Sequence, residues 1–293
     1  MTYTMKSYQP SDELQLINFI TAWDEDSEIL HRIRHSTYKH VFLVYSQGEI
    51  NGMIMAWKSS FHLNCTYFTC MAHHTEAAKA LLAELERHLE QQDYPLQTIV
   101  DENDRLHAFY LDNLFTIIRK TYLPRINVLK DHASFAIPTN QVVKPLDEVT
   151  PHAKLANQLV ALVKRNYEET HLVNPVATIE LAKWEKLTYP DDLLASGSFV
   201  CLDPNEEKIL AYSFLHEAER EDTVELGWCG AFDEPSIAII PSLVVKQLEY
   251  ALSCGYQYVE GEFDTTSSYA MEVLHTLSLP KHPVSITYQK GEI

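Results

Sequence analysis

The sequence contains little glycine, little positive charge and no long hydrophobic run. Glycine occurs only eight times in 293 residues. None of these glycines forms the Gly-x-Gly-x-x-Gly or Gly-x₄-Gly-Lys-Ser/Thr patterns that cradle dinucleotides and nucleoside triphosphates. No apolar stretch reaches the ~18 residues that a membrane-spanning helix requires. These absences argue against a dinucleotide enzyme, a P-loop NTPase and an integral membrane protein.

Negative charge dominates the chain, because 41 acidic side chains accompany only 23 basic ones and give a formal net charge of −18. Such a chain repels phosphate backbones and anionic lipids, so we expect neither nucleic acid nor a membrane as a partner. The negative charge is unevenly distributed, because the net charge is −5 in residues 1–139 and −13 in residues 140–293. An anionic ligand is therefore expected to prefer the first half of the chain, and a cationic ligand the second.

Cysteine usage indicates a reducing environment. The five cysteines are odd in number and include no Cys-x-x-Cys pair, which is unlike a disulfide framework. Residues 1–14 lack the charged and apolar regions of a secretion signal, so we expect a cytoplasmic protein. His31 and His35 are one helical turn apart, but no third ligand accompanies them and no metal site is expected.

Hydrophobic periodicity predicts one series of elements twice: strand, helix, helix, β-hairpin, strand, helix, strand, helix, strand. Apolar residues one turn apart predict a helix over residues 75–92 in the first series and over 242–254 in the second. The repeated order predicts two α/β domains of one type, residues 1–139 and 140–293. Each is expected to contain a mixed, mostly antiparallel sheet flanked by helices.

The most informative short stretch is MAHHTEAAKALLAEL, residues 71–85, which follows a predicted strand and opens a helix. A strand, a short turn and a helix present backbone N–H groups to an anion such as phosphate. The turn contains no glycine, Thr75 is the expected N-cap and Lys79 adds a positive charge. Because Glu76 would compete with an anion for the helix start, an ordinary capped helix without a ligand stays an open alternative.

This element order resembles that of the GNAT-type N-acetyltransferase superfamily, whose domains bind acetyl-CoA. The family pattern V-x-P-x-x-[RQ]-x-x-G-x-[GA] places Phe68 at the Val and Cys70 at the Pro. It places His73 at the Arg/Gln, and Glu76 and Ala78 at the two glycine positions. This stretch therefore resembles the family motif in its spacing and in the helix that follows, but both glycines of the motif are replaced.

A second family pattern, N-x₅-[LF]-Y-x₃-G-F, fits the first half better. Asn103, Phe109, Tyr110 and Phe115 match it, and Leu114 replaces the Gly. The resemblance implies that Tyr110 is the general acid toward the leaving thiolate. For the base, Glu102 and Asp101 both lie at the end of a predicted strand, and we select Glu102 with Asp101 as its alternative.

The resemblance implies an acyltransferase that moves an acetyl group from acetyl-CoA to a primary amine of a small molecule. The residues expected to bind the cofactor are Cys70, Met71, His73, His74, Thr75, Ala77, Ala78, Lys79 and Asn103. The acceptor amine is the expected partner, and a homodimer is an open option. A catalytically inactive GNAT-like protein that binds a ligand or another chain is the alternative function.

The motifs are weaker in the second half. Pro235 occupies the Arg/Gln position, Ala238 and Ile240 the glycine positions, and Leu274 the tyrosine position. The chain thus resembles a tandem member of the superfamily with one better-preserved copy. We expect the first domain to hold the acetyl-CoA site, and the second to shape the acceptor pocket or an interface.

Overall fold

The computed structural model describes residues 3–23, 27–128 and 141–291. These residues form two compact units, and neither unit is one continuous half of the chain. The described residues of the first unit fall within Met1–Ile118, Asn174–Ala177 and Ile286–Ile293, and those of the second within Arg119–Val173 and Thr178–Ser285. The predicted boundary between residues 139 and 140 lies outside the described residues.

Most helices and strands agree in type and order with the prediction, with bounds that differ by a few residues. The strands are β1 (Thr4–Ser7), β2 (His40–Ser46), β3 (Glu49–Trp57), β4 (Thr66–Ala72), β5 (Leu96–Asp101), β6 (Thr116–Tyr122), β7 (Arg125–Asn127), β8 (Val142–Pro145), β9 (Phe199–Leu202), β10 (Ile209–Glu217), β11 (Thr223–Ala231), β12 (Tyr258–Gly261), β13 (Phe263–Asp264) and β14 (Val284–Lys290). The helices are α1 (Glu13–Thr21), α2 (Ser27–Arg34), α3 (Thr75–Arg87), α4 (His107–Asp112), α5 (Leu146–Val149), α6 (Ala153–Thr170), α7 (Leu181–Thr188), α8 (Ile240–Ser253) and α9 (Ser268–Thr276). The sequence did not predict β7 and α5, and it predicted β12 and β13 as one strand.

The first unit is built on a sheet with the strand order β1-β2-β3-β4-β5-β14-β6. Strands β1 to β4 are antiparallel neighbours, and β4 and β5 are parallel. Alternate residues of β2 and β3, such as Leu43 and Met53, face the apolar sides of α1 and α2. Gly52 lets α3 pack closely, because a Cβ there would lie 2.9 Å from the Met71 carbonyl oxygen and 3.0 Å from Leu81.

The second unit is built on a sheet with the order β7-β12-β11-β10-β9-β8, in which only β11 and β12 pair in parallel. Successive side chains of β10 point to opposite faces of the sheet and pack in two different hydrophobic clusters. Ala211 and Leu215 pack with α8 and α9, whereas Tyr212 and Phe214 pack with α6. The sheet therefore has an α6 face and an α8–α9 face.

Two strands occupy places that the repeated pattern does not predict. The last strand, β14, lies in the sheet of the first unit between β5 and β6. The short strand β7, which the sequence did not predict, pairs with β12 in the second unit, where Arg125 is opposite Glu260. Alternation of apolar residues predicts that a strand exists, but it does not specify which strand edge that strand joins. Among the described residues, no helix has the length and apolar character needed to cross a membrane.

The position of β14 predicts that a change near the C-terminus destabilises the first unit. Tyr288 is fully buried, and its ring lies 5.2 Å from that of Tyr110. Tyr288→Ala should lower the free energy of unfolding by about 3 kcal/mol or more, as for other buried aromatic residues. Urea unfolding measures the loss, and amide hydrogen exchange should show faster exchange in β5.

Leu14→Ala is the matched control, since Leu14 is 72% exposed and its truncation should change stability by less than about 0.5 kcal/mol. Unchanged exchange in β5 of Tyr288→Ala would contradict the placement of β14.

Candidate active site

The predicted anion site in the first unit lies at the start of α3. The N-cap is His74, so the expectation that Thr75 caps this helix is wrong; Thr75 is the first helical residue. His74 has an extended backbone and makes no side-chain capping bond, while its carbonyl accepts the N–H groups of Ala77 and Ala78 at 3.0 and 3.1 Å. The first turn of α3 therefore keeps its dipole uncompensated by a capping side chain.

Positive and aromatic groups surround this helix start. The ring of His73 stacks on Trp23 at 5.3 Å, and the Arg105 guanidinium lies 4.3 Å from the centre of the Trp23 ring. Burial and the nearby Arg105 charge lower the pKa of His73. Lys79 and Glu76 are both exposed. The arrangement fits an anion, with Arg105 as a cation that the sequence motif did not reveal and Glu76 as the opposing charge.

The other predicted cofactor residues are mostly enclosed or engaged locally. Cys70 and Met71 are buried in β4, and Ala77 and Ala78 are buried on the inner side of α3. Burial raises the pKa of the Cys70 thiol to about 12, which keeps it neutral. Asn103 donates its backbone N–H and its side-chain amide to Asp101, at 2.8 and 3.1 Å, in the turn after β5.

Tyr110, the predicted acid, lies in the core beside the point where β4 and β5 diverge. These strands pair only at Thr66–Leu96 and Tyr67–Gln97. Tyr110 is fully buried among aromatic rings, with Phe115 at 5.4 Å and Tyr288 at 5.2 Å. Burial raises its pKa well above the usual value. The group is protonated at neutral pH but enclosed, and its catalytic role, like that of the half-buried Glu102, stays a prediction.

A larger opening lies in the second unit, where β11 and β12 also diverge. Their parallel pairing runs from Thr223–Tyr258 to Leu226–Gly261, and β11 then continues five residues further to Ala231. A cavity of about 580 Å³ occupies this divergence. Its lining comes from both faces of the sheet, so the cavity reaches from the α6 face to the α8–α9 face.

A β-bulge in β11 decides which side chains enter the cavity. Ser213 of β10 pairs with Cys229, but Leu215 pairs with Leu226, so β11 contains one extra residue between these pairs. Because of this extra residue, Glu225 before the bulge and Trp228 after it both point to the α6 face. Gly227 leaves room in the bulge for the His216 ring, which a Cβ at this position would displace.

Four carboxylates line the α6 side of the cavity: Asp192, Glu225, Glu262 and Asp264. Asp264 forms an ion pair with Arg119 at 3.2 Å, and Asp192 lies 3.2 Å from His216. Burial, followed by the charges of Asp264 and Glu225, raises the pKa of Glu262, and Arg119 opposes this shift. Glu262 is exposed to solvent and is one of the residues that line the cavity, so water screens its charge and only the direction of its pKa shift is used below.

Aromatic rings form the wall opposite these carboxylates. The ring of Tyr167, on α6, lies 5.0 Å from Trp228 and stacks on His171 at 3.9 Å. Burial raises the pKa of Tyr167 to about 12, so this wall is uncharged at neutral pH. The α8–α9 side is lined by apolar residues instead, including Val244, Ala270 and Val273.

A buried hydrogen-bond chain holds the α6 end of the cavity. Asn166 donates its amide N–H groups to the Ala231 carbonyl at 3.1 Å and to the Tyr269 hydroxyl at 2.8 Å. Tyr269 in turn donates to Glu169 at 2.7 Å. Gly230 leaves room for this chain, because a Cβ there would lie 2.2 Å from Oδ1 of Asn166.

The segment before α8 differs from the start of α3. A short 3₁₀ helix, Glu234–Ile239, precedes α8, and the carboxylate of Asp233 accepts the backbone N–H of Ser236 at 3.2 Å. Hydrogen bonding to the side chain of Ser236 is the main cause that lowers the pKa of Asp233. In the second unit a carboxylate of the chain itself therefore satisfies the first-turn N–H of this 3₁₀ helix, whereas α8 has no side-chain cap.

Sequence motifs did not reveal the residues of the second-unit cavity. Glu262 and Glu225 belong to no family pattern in this chain, and Tyr167 is one residue on an amphipathic helix. The sequence feature that could have indicated this site is a pair of glycines, Gly227 and Gly230, inside a predicted strand. Glycine within a strand indicates a bulge or a close approach of another group, and both occur here.

The close approach at Gly230 gives a test of the hydrogen-bond chain. Gly230→Ala places a methyl group against Asn166 and against Tyr212, which is 2.8 Å away. This overpacking should lower the free energy of unfolding by about 1–3 kcal/mol, measured by urea denaturation. Gly291→Ala is the control, because no atom lies within 4 Å of its added Cβ. Equal stabilities of the two variants would contradict the tight packing at Gly230.

Comparison with known proteins agrees with this architecture. Residues 9–119 match the model of the acetyltransferase (GNAT) domain, and no curated protein matches the chain. The fold is similar to a GCN5-related N-acetyltransferase from Sphaerobacter thermophilus, with 11% identity, coverage of 98% of this chain and 95% of that chain, and a TM-score of 0.61.

Two further solved structures cover this chain almost completely. A tandem GNAT protein from the clavulanic acid biosynthesis pathway has 12% identity, 99% and 98% coverage and a TM-score of 0.57. A GNAT-family acetyltransferase from Colwellia psychrerythraea has 12% identity, 99% and 100% coverage and a TM-score of 0.55. At these identities the likeness concerns the fold. Residues 9–119 thus carry a GNAT acetyltransferase domain, and the chain as a whole, with its two sheets, has the fold of proteins that contain two such domains in tandem.

Proposed function

We propose that the chain transfers an acetyl group from acetyl-CoA to a primary amine of a small molecule, and that the transfer takes place in the cavity of the second unit. The observation that carries this proposal is the passage of the cavity through the sheet where β11 and β12 diverge. Carboxylates lie on one face and apolar side chains on the other. An amine and a thioester can thus approach each other from opposite sides.

Glu262 is the residue that we propose as the general base. A protonated amine must lose a proton before its nitrogen can attack a carbonyl carbon, and a carboxylate with a raised pKa accepts that proton more readily. Burial and two neighbouring carboxylates raise the pKa of Glu262. Asp264 is less suited, because its ion pair with Arg119 stabilises its charged form.

Acetyl-CoA, when bound, supplies an acetyl group that is activated as a thioester. Val244, Ala270 and Val273 would hold its pantetheine arm, because they form the apolar lining on the α8–α9 side.

The start of α3 in the first unit is proposed as a separate site for the phosphates of acetyl-CoA. Its uncapped first turn supports this proposal, with His73, His74 and Lys79 as predicted ligands and Arg105 as an added cation.

A cavity of about 290 Å³ lies at the divergence of β4 and β5, lined by residues of both strands such as Phe68 and Thr98, and Tyr110 packs in the core against Phe68. Because this cavity has about half the volume of the one in the second unit, we place the transfer reaction in the second unit. If one of the two units binds a ligand without catalysing transfer, we propose that it is the first unit.

Replacing the proposed base gives the first functional prediction. Glu262→Gln should lower kcat by about 100-fold or more, the usual contribution of a general base, in an assay of thiol release with a panel of primary amines. Because the pKa of Glu262 is raised, wild-type kcat should fall as the pH drops through that raised value, and the variant should lose this dependence.

Glu219→Gln is the control for this measurement, since Glu219 is exposed and does not line the cavity. An unchanged kcat and pH profile in Glu262→Gln would remove Glu262 from the mechanism. Binding of acetyl-CoA without transfer to any amine in the panel would favour the inactive alternative.

Calorimetry with acetyl-CoA tests the two proposed cofactor sites separately. The wild type should bind two molecules per chain. Ala270→Trp fills the apolar side of the second-unit cavity and should leave one site, and Lys79→Glu should weaken the other by about 3–10-fold through charge repulsion at the helix start. Glu76→Arg should strengthen that first-unit site. One molecule per wild-type chain, lost in Ala270→Trp and unaffected by Lys79→Glu, would exclude the site at α3.

A further inference from the structure

We propose that His216, oriented by Asp192, is a second catalytic residue in the cavity of the second unit. Its Nε2 atom accepts a proton from the attacking amine nitrogen and donates that proton to the departing sulfur. This inference rests on the proposed function, because it assigns a further residue to the same reaction. It also supplies the second unit with a proton donor in place of the family tyrosine, whose position holds Leu274.

The proton balance of the reaction requires a group besides Glu262. A primary ammonium group loses two protons when it becomes an amide, and the sulfur gains one. Glu262 is proposed to accept the first proton before the nitrogen attacks, and this proton passes to water. Another group must accept the second proton as the C–N bond forms and donate it as the C–S bond breaks. The buried Leu274 offers no such group, whereas in acyl transfer one histidine can serve both the nucleophile and the leaving group.

Asp192 fixes the ring of His216 in one orientation. Its Oδ2 atom lies 3.2 Å from Nδ1 of His216. Because a carboxylate only accepts hydrogen bonds, Nδ1 donates to it, and Nε2 of the neutral ring keeps its lone pair. Asp192 is exposed, so water screens its charge. Its contribution is therefore the orientation and the tautomer of the ring.

The backbone holds this pair of side chains together. Leu193 forms an antiparallel bridge with His216 at the end of β10. Next to this bridge, the N–H of Glu217 donates to the carbonyl of Asp192 at 2.9 Å. The contact between Asp192 and His216 is thus set by the register of two hydrogen-bonded segments and does not depend on the side chains alone.

Nε2 of His216 lies where β11 and β12 separate. The last pair of these strands is Leu226–Gly261, and Gly227 is the next residue of β11. A Cβ on Gly227 would lie 2.3 Å from Nε2, so this nitrogen lies against the backbone at the start of the divergence. The proposed function places the amine and the thioester at this same divergence.

The lone pair of Nε2 is available to a substrate. His216 lines the cavity, and its side chain is 18% exposed. Among the described residues, no hydrogen bond engages Nε2, and this atom is not fully enclosed. An imidazole can both accept and donate a proton near neutral pH, which is what the proposed transfer requires.

His171 and Tyr167 are the competing residues, because both line the cavity. Their rings stack at 3.9 Å at the C-terminal end of α6, and neither belongs to the strands that diverge. Burial raises the pKa of Tyr167 to about 12, so this group holds its proton at neutral pH and cannot accept another. His171 is therefore the residue that an experiment has to separate from His216.

Acetyl transfer to primary amines, measured as thiol release, is compared in His216→Gln and His171→Gln. We expect His216→Gln to lower kcat by about 100-fold or more and to change KM for acetyl-CoA little, because a transition-state interaction is lost. His152→Gln is the control, since His152 is exposed and lies outside the cavity lining. An unchanged kcat in His216→Gln, or a larger loss in His171→Gln, would overturn the inference.

Imidazole rescue shows whether the loss is chemical. His216→Ala leaves a space beside Gly227 that free imidazole can occupy. Added imidazole should raise the kcat of His216→Ala by about 10-fold or more and leave that of Glu262→Gln unchanged. No rescue in a His216→Ala protein that keeps the wild-type circular dichroism spectrum would overturn the inference.

Donation to sulfur is tested with S-(4-nitrophenyl) thioacetate in place of acetyl-CoA. Its thiolate is a weak base that leaves without a proton, so the loss in His216→Gln should shrink to about 10-fold or less. An equal loss with both acetyl donors would overturn the donation to sulfur.

Nitrogen-15 NMR of the histidine rings tests the pair of side chains without any reaction. In the ligand-free wild type at alkaline pH, Nδ1 of His216 should carry the proton. Asp192→Asn should shift the proton toward Nε2 and lower kcat by about 10-fold or more. The same tautomer in both proteins would overturn the role of Asp192.

The outcomes distinguish this inference from the proposed function. A wild-type kcat in His216→Gln beside a loss in Glu262→Gln would overturn the inference and leave the proposed function intact. A wild-type protein that acetylates no amine would overturn both.

Discussion

The rest of the second unit depends on one constraint, the divergence of the parallel strands β11 and β12. Their pairing ends at Leu226–Gly261, and beyond it the backbone of β11 is no longer covered by a neighbouring strand on that side. A sheet that opens in this way connects its two faces. The cavity of about 580 Å³ and the meeting of carboxylate and apolar linings follow from this opening.

The opening requires small residues in a chain that has few. Gly227 makes room for the His216 ring and Gly230 for the amide of Asn166. Both lie in β11, where the bulge turns Glu225 and Trp228 to the same face. Two of the eight glycines in the chain thus serve the strand that borders the cavity, whereas the turn before α3, where the family pattern has glycine, contains none.

The two units differ in the features that an acetyl-CoA site would use. In the first unit the start of α3 has no capping side chain, and the cavity at the divergence of β4 and β5 is the smaller one, of about 290 Å³. In the second unit the divergence is open, but Asp233 accepts the first-turn N–H of Ser236. Sequence similarity to the family is found over residues 9–119, so the better-preserved motif and the larger cavity lie in different units.

The sequence by itself predicted most element types, the repeat of their order and the resemblance to the GNAT family, because periodicity and local motifs depend on nearby residues. It also predicted α3, but with Thr75 instead of His74 as its N-cap. Only the tertiary structure decided that β14 completes the sheet of the first unit and that a cavity opens in the second. The environment of Glu262 was likewise beyond the sequence, because its raised pKa arises from burial and from Glu225 and Asp264, which the fold brings together.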